Sequence, residues 1–430
     1  MNYKETISYL YETLPMFSHI GAAAFKKDLN NTIALCEILG NPHKKFKTIH
    51  VAGTNGKGST SHMLAAVLQT AGYKTGLYTS PHLKDFRERI KLNGQMCEKD
   101  FVIAFVEKIK PHIQTIQPSF FEITVAMAFE YFAQQEVDIA VIEVGLGGRL
   151  DSTNIITPEL SVITNIGWDH MNILGDSLEK IAFEKAGIIK ENITTVVGEF
   201  LFETKQVFEN VAAEKSTALI FAQEKRYVSE WKYEHHKLLI TVVDKHNDEH
   251  KVYTLDLPGV YQTKNVVTVL EALHQLQLKG WHFSTEQVEI GLSKAKKITG
   301  LHGRWELIHE KPALILDVGH NADGVKQIVE QLELTSYNQL HIITGMVKDK
   351  EVEKVLALLP PYASYYFTRA QIPRALPENE LAEKALAFGL SGKTFPNVNA
   401  AIKEAMQHAH KDDLILVCGS VFLVGEVTNV

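Results

Sequence analysis

The residues with the clearest chemical purpose lie at 50–60, His50-Val-Ala-Gly-Thr-Asn-Gly-Lys-Gly-Ser-Thr60. Gly53, Gly56 and Gly58 punctuate a turn, and Lys57 stands inside it. Such a turn between a strand and a helix aims backbone N–H groups and a helix N-terminus at one point, which suits a phosphate. Lys57 adds a mobile cation. The standard phosphate loop wants a glycine five residues before its Gly-Lys pair, where this chain has Val51. It also wants a hydroxyl directly after the lysine, where this chain has Gly58; Ser59 and Thr60 follow one position late. The turn is therefore a shorter variant. Its plainer reading is a glycine-rich connection with an incidental lysine.

Other chemically capable groups recur where apolar runs end. Glu143 closes Val141-Ile142-Glu143. A carboxylate at the end of a buried strand needs a partner or a metal. Beside a phosphate loop, Mg²⁺ ligation is preferred over a backbone or lysine partner. Asp169 and His170 close a second run, and His170 reads equally as structural or as a ligand. Ser80 follows a third run. Lys185, on a helix before Gly187, reads on spacing alone as a solvated side chain. Later come Arg304 and Asp317-Val-Gly-His320-Asn321. These could complete a site across a cleft between domains. The simpler readings are a surface ion pair for Arg304 and a helix cap for Asp317.

The elements that must position these groups alternate between strand and helix. Helices are expected at 2–13, 26–39, 59–71, 99–116, 120–135 and 177–186. The helix after the glycine turn should bury one face, carrying Met63, Leu64, Val67 and Leu68. Strands are expected at 48–51, 75–79, 137–144, 160–164 and 195–198. This is the pattern of an α/β domain with a mostly parallel sheet, whose ligands bind off the carboxyl ends of strands. The glycine turn, Ser80, Glu143 and Asp169-His170 all fall at such ends. Residues 237–257 add a small β region that alternates like a hairpin. Helices at 261–279 and 284–295 follow, the second with a Ser284/Gln287 capping box. Residues 296–304 read as a linker. Strands near 312–318, 340–345, 364–368 and 413–418 then alternate with helices near 323–333, 349–358, 378–388 and 397–409. The fold class is α/β in two domains. The first, 1–296, is a P-loop-type, mostly parallel sheet domain with the added β region. The second, 297–430, is smaller and Rossmann-like, about 130 residues and a normal domain size.

Composition narrows the classes. Hydrophobic residues make up 45% and charged residues 22% of 430, ordinary for a globular chain. The net charge of −7 argues against broad nucleic-acid binding. The 3 cysteines are far apart and suggest neither disulfides nor a zinc site. No apolar run is long enough to span a bilayer, and the polar N-terminus lacks an export segment. A cytoplasmic location is expected, with no membrane partner.

Together these motifs resemble the folylpolyglutamate synthase/dihydrofolate synthase family, within the wider Mur-type ligases. The matching stretches are the glycine turn, Tyr78-Thr-Ser-Pro-His82, Phe121-Glu-Ile-Thr124, Glu143-Val-Gly-Leu-Gly-Gly-Arg-Leu-Asp-Ser-Thr-Asn154, Gly167-Trp-Asp-His170, Lys185-Ala-Gly-Ile-Ile-Lys190 and Asp317-Val-Gly-His-Asn321. The resemblance implies an ATP-dependent amide ligase. It would add L-glutamate to a reduced folate, or to dihydropteroate, through an acyl phosphate. By the same resemblance, Asn55, Gly56, Lys57, Gly58 and Ser59 would hold the ATP phosphates. Ser80, Glu143 and His170 would ligate Mg²⁺, with two metal sites expected. Lys185 would be carbamylated. Asn265, Arg304 and Asp317 would contact adenine, phosphate and ribose, with His320 near the reacting phosphate. Asp28, Phe121, Glu122, Ile123, Thr124 and Leu150 would line the pterin side, and a monomer is expected. A muramyl-peptide ligase would share the chemistry, but the Phe121–Thr124 and Leu146–Asp151 patterns point to the folate branch. A nucleotide switch without synthesis would need a guanine-reading Asn-Lys-x-Asp stretch, which the chain lacks.

Overall fold

The computed structural model describes residues 1–16, 21, 26, 28–348 and 351–428. The chain forms two compact α/β units: Met1–Asp256 with Tyr261–Leu301, and Leu257–Val260 with His302–Val430.

The first unit holds strands β1 (Lys47–Ala52), β2 (Thr75–Tyr78), β3 (Ile90–Leu92), β4 (Gln95–Met96), β5 (Ile139–Glu143), β6 (Leu160–Ile163), β7 (Thr195–Val197) and β8 (Leu219–Phe221). They form one sheet in the order β4-β3-β2-β5-β1-β6-β7-β8. The strands from β2 through β8 run parallel, and β3 and β4 add an antiparallel edge. β1, β2, β5 and β6 are buried almost throughout, as strands covered by helices on both faces must be. Register then fixes the site: Val51 pairs with Glu143, Ala52 with Ile163, and Tyr78 with Ile142. The loops after four neighbouring strands therefore leave from one edge.

The helix Lys57–Thr70 starts two residues earlier than its apolar spacing predicts. It is buried on every side from Gly58 to Leu68, not along one stripe. The reason is tertiary: it lies between the sheet and three later helices, Gln262–Leu278, Thr285–Ser293 and Ala295–Thr299. Helices Tyr3–Thr13, Asn30–Ile38, Lys99–Ile116 and Phe120–Gln134 enclose a core rich in aromatic rings, including Phe129, Tyr131 and Phe132. Burying each such ring contributes roughly 1.5–3 kcal/mol. Residue 27 of the helix expected at 26–39 falls outside the described residues, and the helix runs Asn30–Ile38.

Three departures from the sequence reading belong to this unit. Residues 296–304 are not all linker, because Ala295–Thr299 is a short helix. Lys91 Nζ holds its end, donating to the carbonyls of Thr299 at 2.8 Å and Gly300 at 3.0 Å. The β region is three strands, β9 (Arg226–Glu234), β10 (Lys237–Asp244) and β11 (Glu249–Leu255), not a two-stranded hairpin. A further helix, Phe202–Glu214, precedes β8. The Ser284/Gln287 capping box forms as expected.

The second unit is a six-stranded sheet of β12 (Glu306–Glu310), β13 (Ala313–Leu316), β14 (Leu340–Thr344), β15 (Ser364–Phe367), β16 (Gly392–Thr394) and β17 (Leu414–Cys418). Its order is β12-β13-β17-β14-β15-β16, antiparallel only at β12. Helices Ala322–Glu333, Val352–Leu356, Glu378–Leu386 and Val398–His408 carry the alternation. The residues before Val352 in the helix expected at 349–358 lie partly outside the described residues.

Candidate active site

β1 ends at Ala52, and residues 53–56 turn the chain into the helix Lys57–Thr70. Gly53 has φ 144° and Gly56 φ 81°, values that side chains rarely adopt. A Cβ on Gly53 would strike Thr164 Oγ1, and one on Gly56 would strike Asn265 Oδ1. The turn is sewn to the loop after β6. Asn55 N–H donates to Asn165 Oδ1 at 2.9 Å, Thr164 Oγ1 donates to the Asn55 carbonyl at 2.6 Å, and Gly167 N–H donates to Thr54 Oγ1 at 3.0 Å. The helix has no side-chain cap. Its first-turn N–H groups, from Lys57, Gly58 and Ser59, have no acceptor within the helix, so its buried N-terminus suits an anion.

Two lysines meet at this turn. Lys57 Nζ donates to the carbonyls of Gly53 at 3.0 Å and Thr54 at 3.1 Å. Lys185 Nζ donates to the same Gly53 carbonyl at 2.9 Å and is only 3% exposed. The solvated reading of Lys185 is thus corrected: the helix Leu178–Ala186 turns it inward. Burial, with Lys57 beside it, pushes the Lys185 amine down to about 7, although Asp169 and Asp151 oppose the shift.

Glu143, 4% exposed, accepts the Ser80 N–H on Oε2 at 3.0 Å. That contact joins the loops after β2 and β5. His170 ends the loop after β6 with φ 49°, and its Nε2 lies 3.6 Å from Asp169 Oδ2. Among the described residues no three His, Cys, Asp or Glu side chains gather into a metal-holding cluster. The expected set is one hydroxyl, one carboxylate and one imidazole. Such a sparse set suits Mg²⁺, which prefers oxygen and keeps water and phosphate as its other ligands.

Sequence reasoning did not single out Asp151, which builds the loop after β5. Its Oδ2 accepts from Gly145 N–H at 3.0 Å and Leu146 N–H at 2.9 Å. Its Oδ1 accepts from Thr153 N–H at 3.0 Å and Thr153 Oγ1 at 2.5 Å. Burial raises its pKa against these hydrogen bonds. The Thr153 hydroxyl proton goes to Asp151, so His50 Nε2–H donates to Thr153 Oγ1 at 2.8 Å. Burial, and secondarily Lys190, pushes His50 down to about 3. Gln262 was also missed. It donates to Ser59 Oγ at 3.1 Å and accepts from Asn265 Nδ2 at 2.8 Å, tying Asn265 to the glycine turn. Asp151 lies inside a motif legible in the sequence, and Asn165 just precedes another. What the sequence did not carry is that they serve backbone groups.

The residues assigned to the pterin side are spread out. Ile123 lies in the core, and the buried Glu122 caps its own helix by accepting Ser119 N–H at 2.6 Å. Thr124 Oγ1 is 3.2 Å from the Tyr78 hydroxyl. Phe121 is half-buried and packs against Gly145, and Leu150 is half-buried. Asp28 is exposed and accepts Asn30 N–H at 2.9 Å.

In the second unit, Asp317 is buried and accepts Trp305 N–H at 2.9 Å and Gly319 N–H at 2.8 Å. The helix-cap reading of Asp317 is corrected, since Asn321 caps the following helix. His320 Nδ1 lies 2.9 Å from the Val318 carbonyl. Arg304 meets the carbonyls of His302 at 3.4 Å and Gly303 at 3.2 Å, not a carboxylate as the ion-pair reading would have it.

Residues 51–273 match the Mur ligase middle domain, and residues 303–421 match the Mur ligase, glutamate ligase domain. The dihydrofolate synthase/folylpolyglutamate synthase of Bacillus subtilis (strain 168) is 34% identical over 416 residues, covering 94% of each chain. The solved Escherichia coli FolC in complex with DHPP and ADP is 32% identical, with a TM-score of 0.84 over 99% of this chain and 96% of that one. A solved bifunctional folylpolyglutamate synthase/dihydrofolate synthase with Mn, AMPPNP and L-glutamate bound is 31% identical, with a TM-score of 0.83 over 99% and 97%.

Proposed function

The chain belongs to the folylpolyglutamate synthase/dihydrofolate synthase family, and from that membership we propose how its residues carry out ATP-dependent ligation of glutamate. The enzyme is an acid–amino-acid ligase that uses ATP and a divalent metal. A carboxylate oxygen of the pteroyl or folyl substrate attacks the γ-phosphorus of ATP, and ADP leaves. The amine of L-glutamate then attacks the acyl carbon. Phosphate departs, the amine loses a proton, and an amide remains.

Such chemistry spreads charge over the transferred phosphoryl group, so it depends on cations and donors already in place. Asn55 to Ser59 offer the helix N-terminus, and Lys57 exchanges its carbonyl partners for phosphate oxygens. Ser80, Glu143 and His170 would hold Mg²⁺, which supplies charge neutralisation at the phosphates when bound; a second metal site is part of the same reading. Lys185, with its amine pushed down to about 7, is part neutral at physiological pH. A neutral amine can take up CO₂ to form a carbamate, turning a cation into an anion. Asn265 is assigned to adenine, and Phe121 to Thr124 with Asp28 and Leu150 to the pterin side. Arg304, Asp317 and His320 of the second unit keep the nucleotide roles that the resemblance implies. The observation that most supports the reading is the Ser80 to Glu143 contact beside the glycine turn.

The test is ADP release measured with dihydropteroate or a reduced folate, with and without L-glutamate, and the product identified by mass. Turnover that needs both substrates and yields the amide supports the reading. ADP release without a pteridine, or no amide, overturns it. Comparing the two acceptors decides between single and dual activity.

A further inference from the structure

The loop that brings Ser80 to Glu143 is clamped from its far side by a buried arginine. Arg89 ends the 3₁₀ turn Phe86–Arg89 and is 7% exposed. Its Nε donates to His82 Nδ1 at 2.8 Å. Its carbonyl accepts Thr79 N–H at 3.1 Å, and its guanidinium lies 5.4 Å from the centre of the Phe120 ring. Among the described residues no carboxylate lies within ion-pair distance of it, but the Tyr78 hydroxyl is a further side-chain partner and the Glu143 charge favours its cationic form. A guanidinium only donates, so His82 Nδ1 must be the acceptor. The ring proton then sits on Nε2, which is 3.2 Å from the Tyr11 hydroxyl. Glu88 fixes the stretch between them, accepting the N–H groups of Leu83 at 2.8 Å, Lys84 at 3.0 Å and Asp85 at 2.9 Å. Thr79, Ser80, His82, Leu83, Lys84 and Asp85 are thus each tied either to Glu143 or to the Glu88–Arg89 turn.

Burying a guanidinium with no carboxylate in direct contact is costly, and a merely structural loop could be closed with apolar contacts. The fork shape of Arg89 does something apolar packing cannot: it sets the orientation of a ring two residues from Ser80. We propose that Arg89, acting through His82, is a positioning residue that presents Ser80 together with Glu143 to the divalent ion. The proposal rests on the reading of Ser80 as a ligand.

The test measures the Mg²⁺ concentration giving half-maximal ADP release, alongside the KM for L-glutamate. Partners that orient ligands change metal affinity by roughly 10–100-fold. Arg89→Met and His82→Ala are expected to raise the half-saturating Mg²⁺ by about tenfold or more, with the glutamate KM within about twofold. His82→Asn keeps an acceptor oxygen where Nδ1 stands and is expected to stay within about threefold of wild type. Equal behaviour of His82→Asn and His82→Ala overturns the proposal, and this pair decides it even if Arg89→Met does not fold. Ser80→Ala separates the two levels. If it leaves the Mg²⁺ dependence unchanged, the ligand reading fails. If it shifts the dependence while His82→Ala does not, only the role of Arg89 fails.

Discussion

Lys57 and Lys185 donate to one carbonyl oxygen, that of Gly53, at 3.0 and 2.9 Å. Two cations on one acceptor repel each other, and the cost falls on the buried one. Lys57 is half-buried, whereas Lys185 is buried and its amine is pushed down to about 7. An anion arriving at the helix N-terminus would draw Lys57 away and leave the Gly53 oxygen to Lys185 alone.

Lys57→Ala should therefore lose turnover and not the fold. Removing a donor aimed at developing charge costs about 10²–10³ in kcat. The side chain touches loop carbonyls only in part, so the thermal midpoint should move by no more than a few degrees, roughly the effect of 1 kcal/mol. Steady-state ADP release and a melting curve on the same sample check both halves. Turnover near wild type would remove Lys57 from the phosphate site.

Lys185 makes stability depend on pH in a definite direction. Its folded pKa is about 7, below the ordinary lysine value of 10.5. Between those values the unfolded chain holds one more proton, so stability rises with pH across the window and is flat in this group below it. Lys185→Met should flatten the wild-type slope between pH 7 and 10 by about 1.4 kcal/mol per pH unit. Urea midpoints at several pH values measure this. In parallel, ¹³C-labelled bicarbonate should give a carbamate signal in the wild type that Lys185→Met lacks. Identical slopes in the two proteins would mean that Lys185 is not titrating near neutrality.

His50 governs the acid side. Its folded value of about 3 lies below the ordinary 6.5, so the unfolded chain binds the extra proton between them. Stability should fall as pH drops from 6.5 towards 3, by about 1.4 kcal/mol per unit from this group. His50→Gln keeps an N–H for Thr153 and carries no titration. Its denaturation midpoint should depend less on pH over that range than the wild type's. A steeper dependence would contradict the neutral assignment.

Gly53→Ala tests the tightness of the turn. The added methyl meets Thr164 Oγ1 at a backbone angle of φ 144°. The expected result is loss of nucleotide binding and a stability cost of about 1–3 kcal/mol from strain. Adding Thr164→Ala should recover part of the stability, since the hydroxyl is the nearest obstacle. Calorimetry with ADP reads the binding. No recovery in the double variant would place the whole cost in the backbone angle.

Much of this architecture could be read from the chain because two signals coincided. A short, almost continuously apolar run followed by glycines and a run of period 3.6 located β1, its turn and its helix. The same logic located β5 and β6, and so placed Glu143 and His170 at one sheet edge. Spacing alone read Lys185 as solvated because a helix lysine nearly always is, and only the packing of its helix turns it towards Gly53. β9 was missed for a different reason. Its side chains, among them Trp231 and Tyr233, are mostly exposed, so no alternation of burial marks it. The helix Ala295–Thr299 read as linker because its end is held by Lys91, a residue far away in the chain. Asp151, Gln262 and Arg89 act on partners that spacing cannot name.

The strand order has a consequence for how the enzyme comes into being. β1 lies between β5 and β6, with Lys47 beside Ile139 and Ile49 beside Leu160. The glycine turn thus leaves the ribosome well before the strands that will flank it exist. Until they emerge, the first strand has no neighbours, and the Gly53 carbonyl has no Lys185. The surroundings of the glycine turn are therefore incomplete in the nascent chain until β5, β6 and the helix Leu178–Ala186 have been synthesised.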